Sequence, residues 1–170
     1  MRIIKLSLLS IVFLFLIITA IGFFFPSHIR VSRAIDINSN SQQVYGQLSE
    51  PANWKNWYPG GDSLQLFVEN GKPKGLQMDK KTAVVVSSIT HTSVSARFLH
   101  SKRNIELTWK LIADSSQEWV TVQCYMDFRL KWYPWERFSS LIFEKVYGPQ
   151  LEKGLENLKN FVEQNHSSHK

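Results

Sequence analysis

The chain has 170 residues, 44% hydrophobic and 13% aromatic, enough apolar material for one domain with its own core. Its formal net charge of +6 is spread along the sequence with no dense Lys/Arg run, which argues against nucleic acid as a partner. A single cysteine, Cys124, excludes an internal disulfide and any cysteine-rich metal site.

Leu6 to Phe25 carries no charge over about 20 residues, the length a helix needs to cross a hydrocarbon core ~30 Å thick. A cleaved signal peptide would have a shorter apolar run ending in a small-x-small site, whereas this run ends in Phe23-Phe24-Phe25-Pro26. The reading is an uncleaved transmembrane anchor over 1–27, a folded domain over 28–165 and a polar tail over 166–170. Arg2 and Lys5 precede the span, and Arg30 and Arg33 partly offset them on the far side. The positive-inside rule then favours a cytoplasmic amino terminus, with the domain on the extracytoplasmic (periplasmic) side.

Beyond Pro26, Val31, Ile35 and Ile37 alternate with Ser32, Ala34 and Asp36, a first strand with one buried face. Arg33 falls in the apolar phase of that strand, where a buried guanidinium needs a partner. Ser39-Asn40-Ser41-Gln42 fits a capping box and starts a helix, with Val44 and Leu48 on one side. Pro51 ends that helix and opens a second short one through Trp57, carrying Trp54 and Trp57. Tyr58-Pro59-Gly60-Gly61 is a turn.

From Leu64 onward the pattern is strand and turn. Leu64, Leu66 and Val68 alternate, Asn70-Gly71 signals a tight hairpin, and Gly75 to Asp79 reads as the returning strand. Ala83 to Ile89 is rich in β-branched residues. Val94, Ala96 and Phe98 share a face, and His100 continues their phase. Ile105, Leu107, Trp109 and Leu111 form one alternating strand, and Val120 through Leu130 another, each with one dry face. Cys124 lies in the apolar phase of the last strand and reads as a buried, inert thiol.

Pro134 to Gln164 then reads as one long amphipathic helix. Phe138, Leu141, Ile142 and Val146 make its first apolar stripe, and Leu151, Leu155, Leu158 and Val162 its second. Pro134 suits a first helical turn and Glu136 the positive end of the dipole. Gly148-Pro149 predicts a kink or short break, because proline removes a backbone donor.

Hairpin succession implies an antiparallel sheet, and only the final helix is long enough to cover its dry face. The fold class is therefore α+β: a curved antiparallel sheet of about seven strands wrapped around the long C-terminal helix, preceded by one N-terminal transmembrane helix. A cavity between sheet and helix is natural in such a helix-grip arrangement.

The element order, with Ile35-Asp36-Ile37, Pro51-Ala52-Asn53-Trp54-Lys55-Asn56-Trp57 and Gly148-Pro149-Gln150-Leu151-Glu152-Lys153-Gly154-Leu155, resembles the START/Bet v 1-like (SRPBCC) superfamily. Within it, the polyketide cyclase/dehydrase and lipid-transport group is the best match, and many of its members resemble membrane-anchored proteins. The resemblance implies a hydrophobic ligand pocket and carries no catalytic signature.

The pocket is the candidate site. Phe98, Trp109, Met126 and Phe128 are expected to point into it from the sheet, and Phe138, Leu141 and Ile142 to face them from the helix. Trp54, Trp57 and Tyr58 are placed at its rim, and His100 is the polar candidate. Taken one by one, the apolar and aromatic residues are better explained as ordinary core, and His100 as a solvated histidine at a strand end near Ser101 and Lys102. No catalytic residue is identified, no His/Asp/Glu cluster has metal-ligand spacing, and no cofactor is called for. The function expected is a membrane-anchored module holding a hydrophobic small molecule or lipid without chemistry. Two alternatives stay open: an envelope protein that binds a protein partner and fills its own cavity, and a cyclase/dehydrase-type enzyme relying on His100 and Arg33.

Overall fold

The computed structural model describes residues 2–100, 105–113 and 119–167. An N-terminal helix α1 (Arg2–Gly22) leads into β1 (His28–Ile37), then α2 (Ser41–Ser49) and two short 3-10 segments, Pro51–Asn56 and Gly61–Ser63. Six strands follow: β2 (Gln65–Glu69), β3 (Lys72–Gln77), β4 (Ala83–Ile89), β5 (Ser93–Leu99), β6 (Ile105–Ala113) and β7 (Val120–Arg129). The chain ends in α3 (Pro134–Ser167).

The strands form one antiparallel sheet of seven in the order β1-β7-β6-β5-β4-β3-β2, so β1 crosses from the start of the domain to lie beside β7. Alternation decides which side is dry. Val120, Val122, Cys124, Met126 and Phe128 of β7 are buried, and β1 sets Ile37, Ile35, Arg33, Val31 and Ile29 opposite them in register. The other face carries polar pairs, including Arg30 on Asp127 and a buried Ser95–Thr108 hydroxyl contact at 2.9 Å. α3 covers the dry face with Phe143, Leu151, Leu155, Leu158 and Val162.

Three local details differ from the sequence reading, each for an identifiable reason. The cap of α2 is Asn40 rather than Ser39, because the Asn40 side chain accepts the Gln43 backbone N–H at 2.8 Å while Ser39 turns to the Gln43 amide. β3 starts at Lys72 and ends at Gln77: Asn70 and Gly71 both take positive φ, closing a two-residue turn, and the Asp79 carboxylate then accepts the N–H groups of Lys81 and Thr82. α3 runs over 34 residues with Pro149 inside it and no break. The preceding residue, Gly148, has no β-carbon to collide with the proline ring, and buried side chains on both sides of the pair hold the helix to the sheet.

Gly148 also makes room for Arg33. A β-carbon there would overlap the guanidinium, which pairs with Glu144 at 2.6 Å and donates to the Ser32 carbonyl at 2.8 Å. The arginine in the apolar row of β1 thus has its partner on α3. Both side chains reach solvent, at 33% and 60% exposure, so the pair contributes orientation more than stability.

α1 is tied to the domain at one end only. Gly22 packs against Pro134, the Phe25 ring lies 5.1 Å from that of Phe138, and the Arg137 guanidinium donates to the Phe25 carbonyl at 2.8 Å. Apart from half-buried Thr19, the rest of α1 is exposed, and the helix is long and apolar enough to cross a membrane.

Candidate functional site: a cavity between sheet and helix

A cavity of about 150 Å³ lies between the sheet and α3. Its floor is two cross-strand pairs, Leu107 opposite Met126 and Trp109 opposite Cys124. Its roof comes from the second half of α3, with Leu151 and Gly154 buried and Gln150 at the edge. Tyr58 and Pro59, in the turn after the first 3-10 segment, close one side, and Met78 lies beside them. Gly154 lines the roof without a side chain, and a β-carbon there would sit 3.5 Å from the Pro59 ring, in ordinary contact.

Aromatic side chains fill the neighbouring space. Trp54 and Trp57 are buried, with ring centroids 5.2 and 5.6 Å from Trp109. Their indole N–H groups donate to the carbonyls of Leu48 at 2.8 Å and Gln47 at 3.2 Å, which locks both rings against α2. Phe128 packs against Phe143 and Tyr147 at 4.6 and 4.7 Å.

Among the described residues, no charged side chain lines the cavity. Burial pushes the Cys124 thiol well above its ordinary range, and burial likewise raises the Tyr58 phenol. Both groups stay protonated near neutral pH, so these lining side chains offer hydrogen-bonding atoms at Tyr58 and Gln150 and no phenolate or thiolate. Among the described residues no group of three or more His, Cys, Asp or Glu side chains could hold a metal ion.

The thiol has a measurable consequence. Its folded-state pKa is raised above the ordinary 9.0, so the folded protein keeps its proton where the unfolded chain loses it. Stability is therefore full below pH 9 and falls above it, by up to about 1.4 kcal/mol per pH unit at most. Urea unfolding of the native chain and of Cys124→Ala between pH 7 and 10.5 should show a steeper alkaline decline for the native chain. Parallel curves would mean that the thiol ionises as readily in the folded state.

Of the residues that sequence reasoning placed at the pocket, the cavity brings together Tyr58, Trp109 and Met126. Trp54, Trp57 and Phe128 pack around it without lining it. Phe98 is partly buried against the core and borders a separate groove with Arg97, Glu106 and Asp127. His100 is exposed, because its φ of 56° turns the backbone left-handed just after β5 and ends the alternation that pointed it inward. Leu141 and Ile142 are 65% and 56% exposed, and Phe138 packs on Phe25, because Phe143 and Tyr147 take the inward side of that half of α3. The residues missed were Leu107, Cys124, Met78, Pro59, Gln150, Leu151 and Gly154. Strand phase pointed to Leu107 and Cys124, and Gly154, a small residue among large apolar ones, was the signal for the roof.

A family model described as polyketide cyclase/dehydrase and lipid transport matches residues 28–163, and the chain belongs to that family. No curated protein matches it in sequence. Among solved structures, a START superfamily protein from Mycobacterium smegmatis is 16% identical, with a TM-score of 0.59 over 79% of this chain and 97% of that one. Norcoclaurine synthase from Thalictrum flavum is 9% identical, with a TM-score of 0.60 over 82% and 96% of the two chains. An aromatase/cyclase from a Streptomyces species is 12% identical, with a TM-score of 0.53 over 81% and 94%. The architecture is the START-like helix-grip fold.

Proposed function

We propose that this protein is a membrane-anchored binding module that holds a neutral hydrophobic molecule, or part of a lipid, between sheet and helix without chemistry. The observation that carries the reading is the uncharged, largely apolar cavity under α3. A void of about this size lined by apolar side chains stays dry and accepts a single aromatic ring, whereas drug-sized ligands fill roughly 300–1,000 Å³. The expected ligand is accordingly a small ring system or a segment of one acyl or isoprenoid chain. Two of the structural neighbours are named as a synthase and an aromatase/cyclase. Catalysis of that kind needs convergent polar groups, and here His100 is exposed while Arg33 is engaged by Glu144.

α1 is the proposed single-pass anchor, with Arg2 and Lys5 on the cytoplasmic side and the domain outside. The full-length protein, purified in detergent from its native membranes and analysed by native mass spectrometry and solvent extraction, should release a defined apolar molecule in near-stoichiometric amount. An apo mass, together with no uptake of small neutral aromatics by the delipidated protein, would overturn the binding reading.

A further inference from the structure

We propose that the first half of α3, with the loop before it, is a second membrane-contact element that lays the domain along the bilayer surface. This rests on the reading of α1 as an anchor.

Trp135, Ile142 and Val146 are spaced by seven and four residues, so they share one side of α3. They are 63%, 56% and 46% exposed, and Leu141 beside them is 65% exposed. The inward side of the same half-helix is occupied by Phe143 and Tyr147, which pack on Phe128. The segment thus carries apolar residues on two sides, and the domain uses one. An exposed apolar stripe of this kind marks a contact surface.

Its position says what covers it. Gly22 packs on Pro134, Phe25 on Phe138, and Arg137 holds the Phe25 carbonyl, so the end of the span is fastened to the first turns of α3. Trp132 and Trp135 therefore lie at the level where the chain leaves the hydrocarbon, the depth that tryptophan and tyrosine favour. They form one cluster through Tyr133, with centroid distances of 5.2 and 5.0 Å, and Lys131 lies over the Tyr133 ring, a cation placed for lipid phosphates. Val146 is eleven residues beyond Trp135, about 16 Å along the axis, so one surface can touch both only if this half-helix lies in its plane. Gln150, at the cavity edge, follows about one turn later. The bilayer itself is then the nearest source of an apolar ligand.

The test uses the full chain in phosphatidylcholine/phosphatidylglycerol vesicles, with a nitroxide on Ile142→Cys in a Cys124→Ala background. Leu14→Cys serves as the bilayer reference and Lys72→Cys, at the β2–β3 turn, as the aqueous one. Relaxation by oxygen and by a water-soluble nickel chelate reads the surroundings of each label. The expected result groups site 142 with site 14, oxygen-favoured, and against site 72. Nickel-favoured relaxation at 142 with site 14 still oxygen-favoured overturns the proposal and leaves the anchor in place. Nickel-favoured relaxation at site 14 removes the anchor and the proposal together. Spin–spin broadening at 142 identifies a second copy on the stripe and also overturns it. If the Cys124→Ala background does not fold, brominated-lipid quenching of native tryptophan reads the same question. A W132F/W135F pair should lose most of that quenching, and unchanged quenching overturns the proposal.

Discussion

Gly75→Ala is expected to cost about 3 kcal/mol, the upper end of the range for forcing extra atoms into a packed site. Gly75 lies on β3, paired with Val85 of β4, and a β-carbon there would overlap the Val84 carbonyl oxygen. That atom belongs to backbone, so no side chain can rotate away to relieve the overlap. β3 must move off β4, and with it Leu76, which is fully buried in the core. Thermal unfolding in detergent should show a midpoint lower by roughly 6–12 °C, given about 2–4 °C per kcal/mol for a chain of this size. Gly46, inside α2 with nothing within 4 Å of a β-carbon, is the matched control. There the same exchange should raise stability by up to about 1 kcal/mol, the difference between glycine and alanine in a helix. Equal effects at the two sites would contradict the close approach of β3 to β4.

Gly154→Leu is expected to weaken binding of a small neutral aromatic such as naphthalene by about 100-fold, with the fold retained. The isobutyl group would extend from α3 into the space over Leu107, Trp109, Cys124 and Met126 that the ligand would occupy. Losing burial of about 100 Å² of ligand surface corresponds to about 2.5 kcal/mol, close to two decades in affinity. The helix itself favours leucine over glycine by nearly 1 kcal/mol, which offsets part of any overpacking. Gly154→Ala, whose methyl would only touch Pro59, should bind close to the native chain. Titration calorimetry against delipidated protein reads the series. Undiminished binding in Gly154→Leu, with an unfolding midpoint near that of the native chain, would show that the cavity is not the site.

Much of this architecture was legible because its strands bury one face only. Period-two alternation over Ile105–Leu111 and Val120–Leu130 identified β6 and β7 and their dry sides, and the spacing after Leu151 identified the apolar stripe by which the second half of α3 packs on the sheet. The first half of α3 was legible as helix but not in orientation. Phe138, Leu141, Ile142 and Val146 form an apolar stripe at helical spacing, yet Phe143 and Tyr147 form another, and periodicity does not say which one meets the sheet. The candidate site was legible on the strand side through Trp109 and Met126. His100 was misplaced because a single left-handed residue ends the phase, a backbone choice that alternation does not encode.

By itself, then, the sequence determined the elements, the antiparallel succession, the apolar N-terminal helix and the family resemblance, since these follow from local periodicity, turn chemistry and order along the chain. Only the tertiary structure decided the rest: that Arg33 meets Glu144 across the space left by Gly148, that Gly154 rather than Ile142 roofs the cavity, and that α1 is fastened beside an exposed aromatic stripe. Those outcomes depend on the rotation of one long helix against a curved sheet. That rotation is set by which bulky side chains fit together across many residues of sequence separation, and no local pattern carries that information.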